Sequence, residues 1–176
     1  MNRYIVFLRG INVGGNATIS MATLKHLLTN EGYSQVDTYL NSGNVILETK
    51  KSKEDTEKHL QQLIEQQWGL TVAVFVKSKE DLEFILANNP FDSETESDNS
   101  KRMVVMFHET ISSGRGMVIL KDEKEDADYY LKDNLIYIYY KVGVGRAKVT
   151  NPTIKQLLKR PSTSRNWNTM TKIVDK

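Results

Sequence analysis

Tyr4-Ile5-Val6-Phe7-Leu8-Arg9-Gly10-Ile11-Asn12-Val13-Gly14-Gly15-Asn16 decides the fold, because a wholly apolar run leads through three glycines and two asparagines toward a helical pattern. Unbroken apolarity from Tyr4 to Leu8 predicts a strand buried on both faces rather than a half-exposed edge. Glycine reaches positive φ at no steric cost, so the loop can turn successive amide N–H groups inward as an anion-binding nest beside a helix N-terminus. Arg9, at the strand end, is placed to reach the same anion. A plainer reading stands beside this one, in which the glycines only permit a tight strand-to-helix turn, since no complete phosphate-loop motif is present.

Beyond the loop, Met21, Leu24, Leu27 and Leu28 recur at helical spacing from about Ser20 to Glu31, and Gly32 ends the helix. Val36 to Asn41 and Asn44 to Thr49 read as a hairpin closed by the two residues Ser42-Gly43, a register that pairs Tyr39 with Ile46. Ser52 with Asp55 starts a helix carrying Leu60, Leu63, Ile64 and Trp68, closed by Gly69, and Val72 to Val76 forms another apolar strand. Strand, helix, strand, strand, helix, strand is the ferredoxin-like order, in which both helices cover one face of a four-stranded antiparallel sheet. Ile5, Phe7, Tyr39, Ile46, Ala73 and Phe75 then alternate onto the helix-free face, which needs a cover; a second unit or the third helix is the economical candidate.

Ser78 with Asp81 opens that third helix, and Asn89-Pro90 stops it. Asp92 to Ser100 is acidic, serine-rich and nearly free of apolar residues, the composition of a linker. A second series follows. Met103 to Phe107 reads as a strand, residues 110–121 as a weak helix around Met117-Val118-Ile119-Leu120, and Ala127 to Leu131 and Leu135 to Tyr140 as a hairpin. Asn151-Pro152 starts a helix with cap and N1 proline in the expected order, ended by Pro161; the last strand is indistinct. The expectation is an α+β protein of two tandem ferredoxin-like units in one compact bilobal molecule. Residues 1–77 form the first unit, 78–100 a helix and acidic linker, and 101–176 the second unit with a basic C-terminal tail.

The 176 residues include no cysteine, which excludes a disulfide framework, a thiolate nucleophile and cysteine-ligated metal, and fits a cytoplasmic protein. The apolar run at the N-terminus is too short for a signal peptide or a transmembrane helix. A net charge of +2 conceals an asymmetry. Residues 1–30 hold three basic side chains and no acid, residues 134–174 hold eight and no acid, and residues 31–133 hold twelve basic against twenty-one acidic. Basic ends suit either an anionic partner or the acidic middle of the same chain.

His26, His59 and His108 are scattered without ligand spacing, so the sequence offers no metal site, and it calls for no cofactor. Ser42 is exposed to consideration as a nucleophile, but no G-x-S-x-G elbow surrounds it and no base is identifiable; a plain hairpin turn fits better. Whether the protein is an enzyme is left open, since no acid, base or nucleophile is singled out.

Leu8-Arg9-Gly10-Ile11-Asn12-Val13-Gly14-Gly15, Thr38-Tyr39-Leu40-Asn41-Ser42-Gly43-Asn44-Val45, Asn89-Pro90-Phe91 and Thr163-Ser164-Arg165-Asn166-Trp167-Asn168-Thr169 together give the chain its family likeness. On these residues it resembles a bacterial family, domain of unknown function 1697. Asn41 departs from the glutamine expected there. The resemblance implies paired ferredoxin-like folds and brings no activity with it.

In the last of those segments Arg165 can bind an oxyanion in bidentate fashion, Trp167 can stack on a base, and Asn166 can hydrogen-bond; equally, the segment can be a strap that packs Trp167 on the body. The functional expectation is a small anionic or phosphorylated ligand, bound by Arg9, Gly10, Asn12, Gly14, Gly15, Ser42, Asn44, Arg165, Asn166 and Trp167. The alternative is an RNA-binding module in the basic C-terminal half, with Tyr137 and Tyr139 as stacking residues. No membrane partner is expected.

Overall fold

Residues 1–15, 17–91, 96–112 and 116–176 are described in the computed structural model of the chain. The chain divides into two compact units, Met1–Phe84 with Ile173–Lys176, and Ile85–Lys172. Each carries its own antiparallel sheet, so the protein is α+β with two sheets and five α-helices among the described residues.

In the first unit the order is β1 (Asn2–Leu8), α1 (Met21–Asn30), β2 (Ser34–Tyr39), β3 (Asn44–Thr49), α2 (Lys53–Trp68) and β4 (Val74–Ser78), followed by α3 (Lys79–Ala87). The strands lie in the order β2-β3-β1-β4 with every neighbour antiparallel. The helices start where the sequence places their caps. Ser20 Oγ accepts from Thr23 N, Ser52 Oγ from Asp55 N, and Ser78 Oγ from Asp81 N. Asp81 Oδ2 returns a bond to Ser78 N, a reciprocal box that satisfies an orphan donor at each end of the first turn. Gly69 closes α2 at φ 66°.

Val6, Leu8, Val45, Leu47, Val74 and Val76 point to one face of the sheet and pack with Leu24 and Leu28 of α1 and Leu60 and Ile64 of α2. Each such fully buried side chain contributes on the order of 1.5–3 kcal/mol. Ile5, Phe7, Ile46 and Phe75 alternate onto the opposite face and are buried as well, as a strand apolar at every position requires.

The hairpin departs from expectation. Its connection is the four residues Leu40–Gly43, with Leu40 at φ 60° and Gly43 at φ 78°, and Tyr39 pairs with Asn44, Thr38 with Val45 and Asp37 with Ile46. A shift of two residues keeps each side chain on its face, so the core pattern could not reveal it.

The second unit comprises a 3-10 turn (Asn99–Lys101), β5 (Arg102–Phe107), β6 (Val118–Leu120), β7 (Ala127–Lys132), β8 (Leu135–Tyr140), α4 (Pro152–Leu157), β9 (Ser162–Asn166) and α5 (Trp167–Val174). Its strand order is β6-β7-β8-β5-β9. The weak helix expected over residues 110–121 is replaced by β6, an edge strand whose Val118 and Ile119 are exposed. Gly116 just before it and two β-branched residues in a row favour extended chain there, while Gly114 lies outside the described residues. The indistinct last strand is β9, laid against β5 from Phe107↔Ser162 to Met103↔Asn166. The hairpin and the Asn151 cap form as expected, with Lys132 opposite Leu135 and Ile154 N bonded to Asn151 Oδ1. Among the described residues no helix is long and apolar enough to cross a membrane.

Gly43 is the position where backbone conformation and space coincide. An added Cβ would stand 2.9 Å from Leu8 Cβ and from the Ile11 side chain, at a φ of 78°. Ile11 can shift its outer carbons, but Leu8 Cβ moves only with β1. Gly43→Ala is therefore expected to lower unfolding free energy by about 3 kcal/mol, from left-handed strain plus overpacking. Urea denaturation checks this, and a loss under ~1 kcal/mol would show that the turn relaxes freely.

Candidate functional site

Leu8 N donates to Gly43 O and Arg9 N to Ala73 O, so the end of β1 is gripped from the hairpin turn and from the chain leading into β4. Past Arg9 the backbone leaves ordinary conformations. Gly10, Asn12, Gly14, Gly15 and Ala17 all take positive φ, between 51° and 78°. Glycine and asparagine tolerate that region, whereas at Ala17 it costs roughly 1–2 kcal/mol. Asn16 lies outside the described residues.

What holds the loop is the side chain of Asn12. Its Oδ1 accepts from Ile19 N at 2.8 Å, and its Nδ2 donates to Ile19 O at 2.9 Å and to Asn41 O at 2.7 Å. Asn12 N also donates to Ala17 O. The loop is thereby tied to the segment before α1 and to the hairpin turn. Asn41 takes part through its carbonyl, which any residue supplies. Across the turn, Asn44 is fully buried, and its Nδ2 donates to Tyr39 O at 2.8 Å and to Ser42 Oγ at 3.0 Å. Asn12 and Asn44 thus serve as clamps on backbone and turn.

An open concavity of about 570 Å³ lies within this frame, lined by Asn12, Gly15, Thr18, Ser20, Ala22 and Asn41 among others. Part of its wall is the first turn of α1. The Met21 and Ala22 amides there have no intrahelical acceptor by helix geometry, and that end of the helix carries partial positive charge. No acid occupies the first turn of α1. Arg9 and Gly10 are exposed beside the loop. Thr18, Ser20 and Ala22 were not marked by the sequence reading; the cap signal at Ser20 was the available cue, because it fixes which amides face outward.

The remaining expected residues lie in the second unit. Arg165 is buried on β9, and its Nη1 donates to Thr163 Oγ1 and Ser164 O, both at 2.8 Å. Burial pulls its pKa down to about 10. Asn166 Oδ1 accepts from Asn168 N at the start of α5. Trp167 is buried beside Tyr137, ring centroids 6.3 Å apart. Tyr137 and Tyr139, the expected stacking residues, are 1% and 5% exposed; Tyr137 Oη donates to Ile85 O, and the Tyr139 ring tilts against Phe91. Neither offers a free ring face. Among the described residues no group of three or more His, Asp or Glu side chains is placed to hold a metal ion.

Because Asn12 uses both donor and acceptor, Asn12→Asp places a carboxylate oxygen against two carbonyls. It is expected to cost roughly 3 kcal/mol in urea denaturation and to speed amide exchange at Ile19, with Asn12→Ala milder. Equal stability of Asn12→Asp and wild type would show that the clamp is absent in solution.

No curated protein matches the chain. A solved structure of a conserved bacterial protein from Streptococcus pneumoniae is similar over 98% of this chain and 97% of its own, with a TM-score of 0.67 and 24% identity, which speaks for a shared fold. The family described as "Protein of unknown function (DUF1697)" matches residues 1–137, taking in the glycine loop, the hairpin turn, β5 to β7 and the start of β8 while ending short of the Thr163–Thr169 segment. With well over half of its length matched, the chain belongs to the DUF1697 family.

Proposed function

We propose that the first unit binds a small anionic or phosphorylated ligand in the concavity before α1. The observation that carries this reading is the 570 Å³ space walled by Gly15 and the first turn of α1. It combines helix amides without an intrahelical acceptor, a positive helix end and a loop held by Asn12. Arg9 adds an exposed cation, and residues 1–30 contain no acid. Arg165, Asn166 and Trp167, expected to face the same ligand, lie in the second unit, so support for the reading is confined to the first. We also read both units as ferredoxin-like. The support is one strand order, β2-β3-β1-β4 in the first and β7-β8-β5-β9 in the second, with β6 standing where the first unit has α1. No specific observation favours the nucleic-acid alternative.

The test is thermal stability against inorganic phosphate, sulfate, nucleotides, sugar phosphates and short RNAs. A ligand at about a hundred times its dissociation constant adds roughly 2.7 kcal/mol. A shift from a phosphorylated small molecule, weakened about tenfold in affinity by Arg9→Ala and by added salt, is the expected outcome. A shift produced by RNA alone, or a small-anion shift indifferent to Arg9→Ala, would reject the reading.

A further inference from the structure

We draw no further inference here: the strongest candidate, the outer edge of β6 with Val118 and Ile119 exposed on it, is an apolar strand edge unpaired among the described residues, and nothing in the structure shows what covers it.

Discussion

Asn12 makes the first unit's loop a defined object. Its primary amide offers a donor and an acceptor on one short side chain, and both are used on Ile19 while the second amide hydrogen reaches Asn41 O. Aspartate lacks the donor and alanine lacks both, and asparagine also tolerates the φ of 56° found there. Through this one group the end of β1, the start of α1 and the hairpin turn become mutually dependent. Gly43 completes the arrangement from the other side, since only a residue without Cβ lets the turn lie on Ile11 and Leu8. The concavity before α1 follows from that bracing and not from any side chain inside it. A loop so held has little freedom left to lose on binding, which is what the proposed anion site requires of its backbone amides.

Features written in neighbouring residues were legible in the sequence. Ser20, Ser52, Ser78 with Asp81, and Asn151 each announce a helix, because a cap is one side chain meeting an amide two or three residues on. Features set by distant pairing were not. Ser162-Thr163-Ser164-Arg165-Asn166 has no apolar alternation, and it is a strand because β5 offers it a free edge. Val118-Ile119-Leu120 fits a helix or a strand until β7 is known to lie beside it. At the hairpin, Leu40 in a left-handed conformation lengthened the turn by two residues, a choice that neither the glycine at 43 nor the core pattern betrays. The glycines of the loop were visible as a place; the clamp on Ile19 and Asn41 was not, since it joins residues as far as 29 positions apart.

Most buried polar groups of this chain are spent on the fold itself. Arg102 is buried, yet Nε bonds Glu96 O, Nη1 bonds Asn99 Oδ1 and Nη2 bonds Phe91 O, so its guanidinium fastens the segment ahead of β5. Arg165 is likewise engaged by Thr163 and Ser164. Asn44, with no exposure at all, spends its amide on the turn. These groups were desolvated and repaid with bonds inside the fold. Glu125 Oε2 and the Tyr129 hydroxyl are the exceptions among the described residues, and leaving such atoms without a partner costs a fold roughly 1–3 kcal/mol each.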